Sequence, residues 1–231
     1  MSSKDIIYED LYKTIYPSDK DKKWVVELKE PEDDAFKTKK RGKTTYSSIN
    51  ADMASKLFQY LNSFHVPNNF DSFLDKNKYL SRSVEIIPIR ITVYNAGTEH
   101  LVADYGAEKN VELSSPILEF FKSDAKEKLF VNEYHAMAFE MATIDEFRLM
   151  SRMATKINAI LKSYFSRREL QLVRFSCEFG RENGKLIMTG PIDMNTSAFI
   201  NPNVKPEKDP YSRENVMLEK AYNDIQQRLQ S

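Results

Sequence analysis

The strongest constraint on this chain is the run Leu172-Val-Arg-Phe-Ser-Cys-Glu-Phe-Gly180 and, after a short break, Gly184-Lys-Leu-Ile-Met-Thr-Gly-Pro-Ile-Asp193. Val173, Phe175, Cys177 and Phe179 alternate with Arg174, Ser176 and Glu178. That period of two sends one set of side chains to a core and the other away from it. Asn183-Gly184 between the runs predicts a hairpin turn, because both residues tolerate positive φ. Leu186, Ile187 and Met188 form the return strand, and Pro191 stops it. A slip of one residue would exchange the faces of the return strand. Spacing therefore leaves open whether Thr189 or Gly190 sits beside Glu178. The same alternation also describes an ordinary half-buried hairpin with a solvated polar face.

A chain of 231 residues suits one large domain or two small lobes sharing a cleft. Its 41% hydrophobic and 12% aromatic content can fill such a core. The 34 basic and 34 acidic side chains cancel, so no global field draws it to nucleic acid or anionic membrane. One cysteine excludes an intramolecular disulfide, and Cys177 falls on an apolar strand face, where a small core residue is expected rather than a nucleophile. The first ten residues lack a signal-peptide hydrophobic run, and no later stretch reaches membrane-spanning length. A soluble, cytoplasmic protein with no nucleic-acid or membrane partner is expected. There is no G-x-G-x-x-G, and Gly42-Lys43-Thr44 is not a P-loop because Lys37 stands where the motif needs glycine. His65, His100 and His135 show no metal-ligand spacing with one another or with Cys177.

Ile6 to Tyr16 and Lys23 to Leu28 read as strands. Glu30 to Lys43 is a charged loop running from acidic to basic, either a solvated loop or a lid that approaches phosphates. Ser47 or Ser48 caps a helix with Ile49, Met53, Leu57, Tyr60, Leu61 and Phe64 on one face. Val84 to Tyr94 is a nearly continuous apolar strand in which Pro88 marks an edge or a bulge. Thr143-Ile-Asp-Glu146 is a capping box opening a long helix with a methionine and aromatic core stripe. A last helix presents Leu218, Tyr222, Ile225 and Leu229. Strands early, helices later and strands returning once give the α+β class.

In order and spacing these pieces resemble the SAICAR synthetase family, ATP-dependent ligases of purine biosynthesis, over nearly the whole chain. Tyr8-Glu-Asp-Leu-Tyr-Lys-Thr-Ile-Tyr16 is similar to the family's L-Y-x-G-K-A-K-x-V-Y strand. Val84-Glu-Ile-Ile-Pro-Ile-Arg-Ile-Thr-Val-Tyr-Asn95 is similar to V-E-[IM]-[IV]-P-[LV]-E-x-V-V-R-N. The stretch from Val111 to Asp124 resembles E-L-x-x-P-[IL]-x-[ED]-F with a closing K-x-D, and Val131-Asn-Glu133 the [VI]-N-E block. The hairpin resembles L-V-D-F-K-L-E-F-G followed by a G-D-E strand. The resemblance implies a two-lobed fold: residues 1–83 an N-terminal lobe built on an antiparallel sheet, residues 84–231 a helix-richer C-terminal lobe. ATP with Mg²⁺ and a small-molecule substrate would lie in the cleft between them, and a homo-oligomer is implied.

The departures from the family fall on polar positions. Leu11 replaces a phosphate-facing lysine, leaving Lys13; Tyr94 replaces an arginine; Glu99-His100 and Ala103-Asp104 replace pairs that approach the ribotide phosphate. Lys128, Arg174, Ser176, Gly190, Pro191, Asn195 and Ala198 depart as well, Gly190 standing where a metal-binding acid is usual. Much of the positive charge for a ribotide phosphate is thus expected to be gone. Candidate nucleotide-binding residues are Lys13 and Glu178, and candidate metal ligands are Glu178, Asp193 and Asn195. His100 (as a base), Lys122 and Asp124 are the catalytic candidates. Each has a plainer alternative: a strand lysine, a Glu178–Arg174 ion pair, a turn at Asp193, a surface histidine, a helix-end charge pair. Three functions stay open: a diverged ATP-dependent carboxylate–amine ligase on a substrate other than the purine ribotide, an inactive ligand- or partner-binding paralogue, and a true SAICAR synthetase.

Overall fold

The computed structural model describes residues 5–31, 45–123, 128–212 and 218–230. Most of the Glu30–Lys43 loop and Asp124 therefore lie outside the described residues.

The N-terminal strands are β1 (Tyr8–Glu9), β2 (Lys13–Pro17) and β3 (Lys23–Leu28). The run Ile6–Tyr16, read as one strand, is thus broken at Asp10. Asp10 Oδ1 accepts the backbone N–H groups of Tyr12 and Lys13, both at 2.8 Å. A short acid that bonds its own backbone favours a turn over a continued strand, so β1 folds back with Tyr8 opposite Ile15. That turn delivers the Asp10 carboxylate to the start of β2.

Helix α1 (Tyr46–Ser63) follows. Its cap is Thr45 rather than Ser47 or Ser48: Thr45 Oγ1 accepts the Ser48 N–H, and Ser48 Oγ accepts the Thr45 N–H. Ile49, Met53, Leu57 and Leu61 are buried as expected, but Phe64 lies past the last turn and is exposed. Strands β4 (Phe70–Asp75) and β5 (Lys78–Arg82) complete an antiparallel sheet of order β1-β2-β3-β5-β4.

The second sheet is centred on β6 (Glu85–Ala96). After α2 (Glu99–Tyr105) come β7 (Glu112–Lys122), α3 (Glu133–Ala138) and α4 (Ile144–Ser166). Then follow β8 (Gln171–Glu182), β9 (Lys185–Met188), β10 (Ser197–Ile200) and α5 (Leu218–Arg228). The order is β10-β8-β6-β7, with β9 on β8. Pro88 sits in a strand paired on both sides, so it marks a bulge and not an edge: the β6–β8 register shifts between Ile86 and Arg90. The hairpin turn forms as read, with Glu182 opposite Lys185 and positive φ at Asn183 and Gly184.

Helix α4 opens on the expected box, Thr143 N donating to Glu146 Oε2 at 2.8 Å and Glu146 N to Thr143 Oγ1 at 3.2 Å. Arg181 in β8 donates to the same carboxylate at 2.5 and 3.0 Å and holds it down to about 2. The helix start is thereby tied to the hairpin. One apolar cluster joins Ile15 and Val26, helix α1, Ile89 and Ile91 of β6, Phe175 and Phe179 of β8, and Ile157 and Leu161 of α4. Each fully buried large side chain there contributes about 1.5–3 kcal/mol. The C-terminal helix returns to α1, where the Tyr46 and Tyr222 rings lie 4.5 Å apart.

Candidate functional site

Strands β2, β6 and β8 converge with their polar faces on four charged side chains. The β6–β8 register puts Arg90 opposite Glu178. Arg90 Nε and Nη2 donate to Glu178 Oε1 at 2.8 and 2.6 Å, and Nη2 also donates to Asp10 Oδ2 at 2.6 Å. Lys13 Nζ donates to Glu178 Oε2 at 2.5 Å and to Asp10 Oδ2 at 3.1 Å. Lys13, Asp10 and Glu178 side chains are all at most 10% exposed. Burial works against the Lys13 ammonium, but Glu178 and Asp10 outweigh it and hold its pKa above the usual lysine range. Burial likewise works against the Glu178 carboxylate, and Lys13 and Arg90 outweigh it, so its pKa lies low.

The plainer sequence alternative, a Glu178–Arg174 pair, is corrected by this geometry. Four residues of strand separate the two side chains by roughly 13 Å at 3.3 Å per residue, and Arg174 stands opposite Tyr94 instead. A solvated polar face is corrected too, since Ser176 and Glu178 are buried. The open question beside Glu178 has a divided answer. Thr189 N donates to the Glu178 carbonyl at 2.9 Å, while Gly190 lies under the Glu178 side chain. A Cβ at position 190 would come within 2.8 Å of Glu178 Oε2.

Next to this cluster is a cleft of about 870 Å³ whose walls include Lys29, Arg90, Lys122, Lys128 and Arg174. The expected loss of positive charge is therefore a redistribution: cations at 90, 128 and 174 face a space from which cations at 94, 104 and 198 are absent. At the far end, His100 has Nδ1 2.9 Å from Asp104 Oδ2 and Nε2 2.8 Å from Glu119 Oε1. Lys128 Nζ donates to Tyr94 Oη at 3.3 Å and lies 3.6 Å from Glu119 Oε2. His100 can serve as a base only by releasing one of its carboxylates.

The metal candidates have other employment. All four oxygens of Asp10 and Glu178 accept N–H donors of the chain. Asp193 Oδ1 accepts the backbone N–H groups of Asn195 and Thr196 at 2.9 and 3.0 Å, closing the turn that was its plainer alternative. Asn195 spans to Lys29 O and Tyr222 Oη. Among the described residues no three His, Cys, Asp or Glu side chains group to hold a metal ion. Mg²⁺ takes octahedral oxygen ligands, and this donor set does not fit it.

Asp193 is fully buried, its Oδ2 has no hydrogen-bond partner, and burial pushes its pKa up to about 6. A carboxyl with a raised folded pKa supports the fold below the unfolded pKa and loses that support as pH rises through the folded value. Asp193→Asn is accordingly expected to be near neutral at pH 4 and to stabilise by about 2–3 kcal/mol at pH 7.5, at 1.36 kcal/mol per pKa unit. Urea unfolding at the two pH values checks this, and an equal effect at both would refute it.

Of the sequence candidates, Lys13 and Glu178 meet directly, Lys122 and His100 line the cleft, and Asp193 and Asn195 share a turn. Asp10, Arg90 and Glu119 were missed. Arg90 had a signal, since the matched strand motif carries glutamate at that position, and Glu119 is the motif's own acid. Asp10 had none beyond its turn propensity.

Comparison with known proteins agrees with this architecture. The family model for SAICAR synthetase matches residues 7–229. A phosphoribosylaminoimidazole-succinocarboxamide synthase of Thermoanaerobacter sp. is 30% identical over 99% of both chains. One of Pelodictyon phaeoclathratiforme is 32% identical over 96% of both. Among solved structures, a SAICAR synthetase in complex with ADP superposes with a TM-score of 0.83 at 25% identity, covering 97% of both chains. The Ehrlichia chaffeensis synthase reaches 0.83 at 26% identity over 98% of both. Matched from end to end in sequence and in fold, the chain belongs to the SAICAR synthetase family.

Proposed function

We propose that this chain is an ATP-dependent carboxylate–amine ligase acting on a substrate other than the purine ribotide. ATP transfers its terminal phosphoryl group to a substrate carboxylate, and an amine displaces phosphate from the acyl phosphate to form an amide. The observation that carries this reading is the 870 Å³ cleft with five cationic side chains on its walls. Its volume lies in the range of small-molecule sites, and its charge suits a phosphorylated or carboxylated occupant. The relative solved in complex with ADP supports nucleotide use by this fold.

The chain's own residues have definable tasks. Arg90, held from behind by Asp10 and Glu178 and lying over the Tyr12 ring at 5.1 Å, presents a fixed cation to the cleft. Lys13 would meet a phosphate only by leaving one of its carboxylates, so its standing role is to keep Glu178 ionised and in place. Lys122 and Lys128 lie where they can receive the carboxylate. Beside Lys128, His100 with its carboxylate partners Glu119 and Asp104 gives the far end of the cleft a mixed charge that suits a polar group.

An inactive binding protein is favoured by one observation, the closed ion network around Lys13. The true purine reaction is favoured by the curated relatives, full-length and 30–32% identical. The test is ADP release from ATP by the purified chain across a panel of small carboxylates paired with amines. ADP release that requires both co-substrates, with amide product, is expected. Calorimetry showing no nucleotide binding would leave only the inactive reading standing.

A further inference from the structure

We propose that Arg90 takes the place of a chain-bound divalent cation, so that Asp10 and Glu178 are neutralised from within. The inference deepens the reading of the cleft but rests on geometry that holds whatever the substrate is. A divalent cation needs several oxygen lone pairs converging at 2.0–2.6 Å. Asp10 and Glu178 converge as such a site would, yet what lies between them is the Arg90 guanidinium, at 2.6–2.8 Å from both, with the Lys13 ammonium closing the other side.

Charge argues the same way. Two carboxylates and two cations make this pocket neutral, with side chains between 5% and 17% exposed. Adding a dication would leave two uncompensated positive charges in a nearly dry site, where such charge is costly. Space argues it too. Gly190 packs against Glu178 so closely that even a Cβ would collide, so a further carboxylate at that position has no room. Arg90 is also directed: Pro88 and the bulge around it set the register that brings residue 90 opposite residue 178.

The experiment is titration of the full chain with Mn²⁺ alone, followed by electron paramagnetic resonance of the free ion and by calorimetry. The wild-type chain is expected to show no Mn²⁺ site that depends on Glu178. Arg90→Glu removes the internal cation and adds a third carboxylate, and is expected to bind one Mn²⁺ at least about tenfold tighter than wild type, one decade being 1.4 kcal/mol. Arg90→Gln, a milder change, is expected to move in the same direction and serves if the glutamate variant fails to fold. A wild-type Mn²⁺ site that disappears in Glu178→Gln would overturn the proposal. So would folded Arg90 variants whose Mn²⁺ affinity does not rise. No nucleotide or substrate is present in the titration, so failure of the ligase reading cannot be mistaken for failure of this one.

Discussion

Glu178→Ala is expected to destabilise the fold by about 3–5 kcal/mol, the usual cost of breaking a buried pair by removing one partner. Glu178 accepts two bonds from Arg90 and one from Lys13, and its loss leaves Asp10 as the remaining counter-ion in this network for two cations. Glu178→Gln is expected to lose nearly as much, because the amide keeps the shape, withdraws the charge and turns a donor toward Lys13 or Arg90. The comparison is Glu182→Ala, whose partner Arg82 is 41% exposed; that pair should contribute no more than about 1 kcal/mol. The Glu178 effect also has a pH sign. A carboxylate with lowered folded pKa contributes stability that is present above its unfolded pKa and is lost as pH falls through the folded value. The gap between wild type and Glu178→Ala should therefore be full at neutral pH and shrink in acid, below the ordinary carboxylate range. Urea unfolding followed by circular dichroism measures both. A loss under 1 kcal/mol at pH 7 would mean that the network is slack and that Lys13 is open to ligands.

Why this network escaped the sequence is a matter of register. Alternation along Val173–Phe179 is a local property, and so are the Asn183-Gly184 turn and the Thr143–Glu146 box; the turn and the box form as read, and the strand forms with its polar face buried at Ser176 and Glu178. The Arg90–Glu178 pair is nonlocal. It depends on how β6 slides against β8, and a proline bulge shifts that register where no periodicity can report it. Reading within one strand pointed to Arg174, which shares a face with Glu178 but lies too far along it. Asp10 was hidden differently: its turn interrupts a run whose composition reads as continuous strand. The loss of cations at 94, 104 and 198 was legible residue by residue. Their replacement by Arg90, Lys128 and Arg174 as lining of the same space was not, because only the folded chain shows which positions share a wall.

That relocation sets the expectation for the purine reaction: no conversion of carboxyaminoimidazole ribotide and aspartate to the succinocarboxamide above background. The resemblance implies that the ribotide phosphate is approached by groups at positions 94, 100, 103 and 104, with an arginine at 198. In this chain Tyr94, His100, Asp104 and Ala198 stand at those positions, and Glu119 lies 2.8 Å from the His100 ring. Each lost charge-assisted contact costs roughly 1.5–3 kcal/mol. Three such losses, at 94, 104 and 198, come to about 4.5–9 kcal/mol, or about three to six decades at 1.4 kcal/mol per decade. Asp104 adds repulsion to what is missing. Lys128 and Arg174 flank Tyr94 and offer a phosphate another resting place, but a ribotide shifted toward them would carry its carboxylate along with it. Remote phosphate contacts act mainly by placing the reacting group, so the shift would be felt in turnover more than in binding. The checks are ADP release with all three substrates at saturating concentration and rescue of a purine auxotroph lacking its own synthase. Robust turnover with full rescue would show that the relocated cations do hold the phosphate productively, and would return this chain to the reaction its relatives are named for.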